Sequence, residues 1–296
     1  MTTQGDCPSL LVVVSELDPL HASETDKEGP VLSLCLSNLL VFINTYLMFN
    51  HENRLAFIAT TPSECSFLYP LNVNKPDSSG STEDDLMPGK CGQYELFEDI
   101  NSTITRGLKA VARRMNSGVT TRPLLAGALA KSLCYIHKHT TDKDNRLLPR
   151  ILVMKSSPDS PSQYMPTMNC IFAAQKNSIP IDACLIDSDS GFLQQACDLT
   201  GGTYIRLPET KALLQYLLWV FLPDHSSRQM LTLPPLGHVD YRAACFCHRK
   251  LVEIGYVCSV CLSIFCQFNP ICSTCNTRFP VPGLAGSKAK RKKTTQ

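Results

Sequence analysis

Seven of the fifteen cysteines crowd into the 31 residues from Cys245 to Cys275. A stretch that short buries too little apolar surface to fold on packing alone, so crosslinks or a metal must supply the difference. Within it, Cys258-Ser-Val-Cys261 and Cys272-Ser-Thr-Cys275 are two C-x2-C pairs with ten residues between them. Each pair sets two thiolates on a tight turn, and two such turns brought together make a tetrahedral four-sulfur site. Zinc prefers that donor set, and closed four-thiolate coordination is structural rather than catalytic. The N-terminal MTTQGDCPSLLVVVSELD has no basic segment ahead of its apolar run, which reads against a secretory signal. A reducing compartment is therefore expected, and metal ligation rather than a disulfide framework.

Cys245, Cys247, His248 and Cys266 are left over, enough side chains for a second site. RING domains interleave two sites in a cross-brace of this kind. The Cys245-Phe-Cys247-His248 spacing is irregular, however, and Cys266 has no paired neighbour, so one structural zinc is expected and the second stays open. Phe246, Tyr256, Val257, Ile264, Phe265 and Phe268 lie between the ligands and could form the module's own small core or an interface.

Ahead of this module, short apolar runs alternate with helical patterns. Leu10–Val14 is uninterrupted and β-branched, as in a strand buried on both faces. A helix after Pro30 carries Leu32, Leu36, Leu39, Leu40, Ile43 and Leu47. Leu55–Ala59 and Phe67–Leu71 flank a Thr-Pro-Ser turn, and Asn72 to Gly92 is too polar to pack. Two amphipathic helices follow, one striped from Ile100 to Met115. The other is striped from Leu125 to Ile136, with Thr121 as its expected N-cap and Pro123 near its start. Strands at Ile151–Met154, Ile179–Ile186 and Thr203–Leu207 alternate with helices at 165–177 and 191–199, and a last helix opens at Pro208. Strands separated by helices predict βαβ units and a mainly parallel, doubly wound α/β sheet. The expected layout is an α/β domain at 6–223 with an exposed insertion at 72–92, a linker at 224–243, a cysteine-rich module at 244–282 and a basic, disordered tail at 283–296.

Composition bounds the rest. With 44% hydrophobic and 18% charged residues among 296, the chain can bury a core, and wholesale disorder is excluded. No run of 18 uncharged apolar residues occurs, so no membrane span is expected. The net charge of +2 owes much to five basic residues in the last nine; without them the chain is slightly acidic and no general nucleic-acid sponge. The tail Lys288–Lys293 reads equally as a nuclear-localisation signal or a solvated end. Ligands of open α/β domains bind beyond the carboxyl ends of the strands. Those ends offer Ser15-Glu16-Leu17-Asp18, Lys155-Ser156-Ser157 and Asp187-Ser188-Asp189, the last two aspartates reading as cap or turn groups. No G-x-G-x-x-G, P-loop, G-x-S-x-G or H-E-x-x-H occurs, so nucleotide, acyl-transfer and zincin chemistry have no motif support.

The segments LLVVVSELDP, TRPLLAGALAKSLCYIH, DACLIDSDSGFLQQACDLTGGTY and LLQYLLWVFLPD resemble a von Willebrand factor A (vWA) domain. Joined to HVDYRAACFCHRKLVEIGYVCSVCLSIFCQFNPICSTC, they resemble the vWA-plus-zinc-finger core subunits of the general transcription and DNA-repair factor TFIIH, specifically the smaller type. The resemblance implies a non-catalytic, nuclear scaffold subunit acting in RNA polymerase II transcription initiation and nucleotide-excision repair. It implies partners in the larger vWA/RING-type subunit, for which the vWA domain is a docking platform, and in the other core subunits including the helicases. DNA would be met only indirectly or weakly, with no membrane and no small-molecule substrate.

Metal-binding vWA domains carry D-x-S-x-S after the first strand, a Thr in a later loop and an Asp after the fourth strand. Here the first set reads Glu16, Asp18 and Leu20, and the fourth strand is followed by Lys155, so the site is expected to be degenerate and empty. Two alternatives compete with the scaffold reading. A RING-like ubiquitin ligase would explain the cysteine density, and a direct DNA-binding zinc module would use Arg249, Lys250 and the tail.

Overall fold

The structure is a computed structural model, and it describes residues 8–16, 31–70, 93–114, 124–141, 147–233, 239–248 and 250–280. The insertion at 72–92, the tail, Asp18, Leu20, Thr121 and Pro123 lie outside the described residues. The chain divides into two compact units, Met1–Asp240 and Tyr241–Gln296.

The first unit is built on a six-stranded sheet: β1 (Ser9–Glu16), β2 (Arg54–Thr60), β3 (Cys65–Tyr69), β4 (Leu148–Lys155), β5 (Ile181–Leu185) and β6 (Tyr204–Arg206). Their order is β3-β2-β1-β4-β5-β6. All neighbours run parallel except β3, which returns antiparallel to β2 through the expected turn. The helices are α1 (Val31–Phe49), α2 (Gln93–Arg114), α3 (Leu125–Thr140), α4 (Tyr164–Lys176) and α5 (Gly191–Thr200). The doubly wound α/β class read from the sequence is the one observed.

Successive strand residues face opposite sides, and here both sides are dry. Leu11 and Val13 of β1 pack with Phe57, Leu152 and Met154 against α1 and α2. Leu10, Val12 and Val14 pack with Ile58, Ile151 and Val153 against α3, α4 and α5. That is why the β1 sequence shows a run instead of an alternation. After α5 the chain turns sharply on two glycines with different duties. Gly201 adopts φ 72° as the helix C-cap, and a Cβ on Gly202 would stand 1.9 Å from the Ile181 carbonyl oxygen.

Two expectations need correction. The last helix is not regular: a 3-10 turn (Thr210–Ala212) leads into α6 (Leu213–Tyr216), which widens to a π turn at Leu217–Phe221. Buried Arg150 of β4 sits beyond its end and donates to the carbonyls of Phe221 (2.7 Å), Leu222 (3.2 Å) and Pro223 (3.0 Å). With Arg228, which also donates to the Phe221 and Pro223 carbonyls, these bonds satisfy helix-end acceptors. Burial pulls the Arg150 guanidinium below its ordinary range, an effect that the nearby Asp182 opposes. Residues 224–231, expected as linker, belong to the first unit. Asp224 caps α7 (His225–Met230), accepting from the Ser227 amide at 3.0 Å. Arg228 reaches back into the core and forks onto Asp182 at 2.7 and 2.8 Å. No described helix is long and apolar enough to cross a membrane.

Candidate metal centres and the filled strand-end edge

The second unit has almost no regular structure: β7 (Ala243–Ala244) pairs with β8 (Leu251–Val252), and β9 (Tyr256–Val257) with β10 (Ile264–Phe265), both antiparallel. Its apolar centre is small, with buried Cys258, Phe265 and Cys272 backed by Phe246 and Phe279. The aromatic and apolar residues between the ligands are not all core. Phe246 and Phe265 are core, whereas Tyr256, Val257 and Phe268 are exposed.

The C-x2-C pairs form two turns of the same design. In the first, the Cys258 amide donates to the Ser263 carbonyl and the Leu262 amide to the Cys258 carbonyl, at 3.0 and 2.9 Å. In the second, Cys272, Asn276 and Thr277 repeat the pattern at 2.9 Å for both bonds. Leu262 and Asn276 occupy equivalent left-handed positions, φ 57° and 58°. The next residue of each turn sets its hydroxyl against the second cysteine: Ser263 Oγ lies 3.2 Å from Cys261 Sγ, and Thr277 Oγ1 lies 3.1 Å from Cys275 Sγ. The Ser263 hydroxyl and amide bring the Cys261 thiol down to about 6. Thr277 lowers that of Cys275 in the same way. Both shifts favour the thiolate, the form that ligates metal. Cys258, by contrast, is pushed up to about 11, despite the Cys261 amide, by desolvation and the neighbouring thiols.

The sulfurs of Cys258, Cys261, Cys272 and Cys275 all lie within 4.8 Å of one another, with Cys258–Cys275 at 3.7 Å and Cys261–Cys272 at 3.5 Å. A tetrahedral zinc with arms of about 2.3 Å would hold its sulfurs about 3.8 Å apart, so the cluster could hold such an ion with little movement. Cys245, Cys247, His248 and Cys266 also converge within 4.8 Å. These are the four residues that the sequence left over for a possible second site.

At the strand ends, β1 and β4 are neighbours at the point where the sheet's winding reverses, the usual ligand crevice of such folds. Lys155 fills it. Only 4% exposed, its ammonium donates to the Ser157 carbonyl and to Asp159 Oδ1, each at 2.8 Å. Asp159 also accepts from Ser190 Oγ at 2.6 Å and the Phe192 amide at 3.2 Å, joining β4 to the start of α5. Buried Glu16 accepts from the Ser157 amide at 3.3 Å. Asp189 accepts from the Ser190 amide and the Tyr204 hydroxyl, a turn role as expected, and Asp187 is exposed. Ser190, not an aspartate, caps α5. The crevice bounded by Lys155, Ser157, Asp159, Gln163, Thr167 and Phe192 has room for about one water molecule. An ammonium at that position, held by the carboxylate that a cation would need, does not fit a divalent ion. The sequence reading missed Asp159; its only signal was an acidic residue four positions after a strand-end lysine.

A family model described as "Transcription factor Tfb4" matches residues 8–276, from β1 through the second C-x2-C turn. The chain belongs to the Tfb4 family. Among Tfb4-type relatives, "General transcription and DNA repair factor IIH subunit tfb4" of Schizosaccharomyces pombe is 40% identical over 281 residues, covering 95% of this chain and 92% of its own length. The Arabidopsis thaliana "General transcription and DNA repair factor IIH subunit TFB4" is 38% identical, covering 93% of this chain and 90% of its own. A solved structure titled "Crystal Structure of the TFIIH p34 N-terminal Domain" superposes with a TM-score of 0.60 at 30% identity, spanning 72% of this chain and 97% of that one. The resemblance read from the sequence, to a subunit of TFIIH, is thus borne out for this Tfb4-family chain.

Proposed function

We propose that this Tfb4-family chain is a non-catalytic structural subunit of the TFIIH core in the nucleus, acting in RNA polymerase II transcription initiation and nucleotide-excision repair. Its vWA-like unit is a docking platform for the larger vWA/RING-type subunit, and through it the chain joins the other core subunits, including the helicases. Cys258, Cys261, Cys272 and Cys275 hold one structural Zn2+. The relatives' names support the complex, and the observation that carries the platform role is the filled strand-end edge. There the groups that would meet a ligand are already bonded to Lys155 and Asp159, so the surface works by fixed shape and hydrogen bonding. A protein partner needs such a surface; a small substrate needs a cleft.

Co-expression with the larger vWA/RING-type subunit tests this. A stoichiometric complex surviving gel filtration is expected. A stable, monodisperse chain with no affinity for that subunit would overturn the reading. The interleaved order of the two cysteine groups gives the RING-like ligase reading one supporting observation; autoubiquitination lost on Cys258→Ser would promote it.

A further inference from the structure

The second cysteine group is more than residual thiols. Three of its members come from one loop, Cys245, Cys247 and His248, and the fourth, Cys266, arrives from the far end of β10. Cys266 Sγ lies 3.4 Å from Cys247 Sγ and 3.2 Å from His248 Nδ1. A tetrahedral ion with sulfur arms of about 2.3 Å and a nitrogen arm of about 2.0 Å would set these edges at about 3.8 and 3.5 Å. The observed separations are those of a slightly contracted ligand shell.

The backbone explains how an unpaired cysteine gets there. The Cys245 amide donates to the Lys250 carbonyl at 2.9 Å, which closes the loop that carries three donors. The Phe246 amide donates to the Ile264 carbonyl at 2.8 Å, which pins that loop to β10 two residues before Cys266. Phe246 and Phe265 then meet with ring centroids 6.4 Å apart, and Phe265 is buried. Five residues of chain, Leu262 to Cys266, thus lead from the last ligand of the first C-x2-C turn to the lone ligand of the other group. In chain order the donors alternate between clusters: 245/247/248, then 258/261, then 266, then 272/275.

The geometry points to a second metal centre, in which Cys245, Cys247, His248 and Cys266 bind a zinc-class divalent ion and cross-brace the module with the four-sulfur site. Three thiolates and an imidazole are a soft donor set, matched to zinc rather than to magnesium or calcium. The two centres differ in shielding. Cys258 and Cys272 of the four-sulfur cluster are buried, whereas Cys247 and His248 are exposed. The three-sulfur centre is therefore the one a chelator strips first. The proposal rests on the zinc-module part of the function above, though the two can fail separately.

The test is metal content of the purified full-length chain, by mass spectrometry of the metal against protein concentration. Two zinc ions per chain are expected, falling to one in Cys266→Ser. One zinc per chain, unchanged by Cys266→Ser and lost in Cys272→Ser, overturns the second centre and leaves the first standing. No zinc at all overturns both. Because a variant could fail to fold, the wild-type chain is also stripped and refilled with Co2+. Saturation at two equivalents, with thiolate charge-transfer absorption set by seven cobalt–sulfur bonds, is expected; saturation at one equivalent, set by four, refutes the proposal.

Discussion

Lys155→Met tests whether a tethered cation holds the strand-end edge together. The substitution keeps an apolar stem of similar length and deletes the charge. It removes two bonds of 2.8 Å, to the Ser157 carbonyl and to Asp159. The aspartate is left 18% exposed and facing its two remaining donors, Ser190 and Phe192. Breaking one side of a buried pair costs about 3–5 kcal/mol. The partial exposure of Asp159 and its two surviving bonds put this case near the lower end, at about 3 kcal/mol. For a unit of this size that is a fall of about 6–12 °C in Tm. The assay is thermal unfolding of wild type, Lys155→Met, Asp159→Asn and the double variant. A coupling energy of about 1–3 kcal/mol between the two positions is expected. A Lys155→Met protein melting within a degree of wild type would refute the reasoning. So would a wild-type Tm raised by millimolar Mg2+ or Ca2+, since a bound ion would then be sharing the edge with the ammonium.

Arg228→Met leaves Asp182, only 1% exposed, with the Thr203 amide but without its guanidinium. A loss of about 3–4 kcal/mol in urea unfolding is expected, larger than for any exposed pair in the chain. Leu262 holds a left-handed conformation that costs a branched residue about 1–2 kcal/mol and asparagine less. Its side chain is 71% exposed, so Leu262→Asn should raise the chelator concentration needed to unfold the module; a fall would show that the leucine side chain is needed. Asp224→Ala should cost about 1 kcal/mol at neutral pH by uncapping α7. Against the upward push of partial burial, the Ser226 and Ser227 donors hold the Asp224 carboxyl down to about 2, below its ordinary 3.8. Its contribution is thus complete above about pH 4 and is lost as pH falls toward 2, so the gap between variant and wild type should close over that window.

The parts of this structure that were legible in the sequence are those encoded by local period or spacing. Leu10–Val14 announced a strand buried on both faces, and the two C-x2-C pairs announced one cluster, because each rests on neighbours a few residues apart. What escaped depends on tertiary closure. Cys266 could be named for the second group only as a leftover, because what brings it there is a hairpin that carries it back past Phe246. Asp159 becomes the partner of Lys155 through a turn whose path no periodicity specifies. Nothing in the sequence marks Arg150, which β4 can bury because carbonyls 221–223 receive its guanidinium and Tyr46 and Asp182 lie close by. The π turn was not legible either, since residues 217–221 read as an ordinary amphipathic stretch.

A lysine at the carboxyl end of β4 also fixes how that edge responds to its surroundings. A dissociable ion would make the strand-end surface responsive to the surrounding salt, able to be emptied, refilled or exchanged. An ammonium carried on the polypeptide is present at every ionic composition and cannot be chelated away. The shape of this edge is therefore set by the fold itself and does not vary with the supply of any dissociable ion.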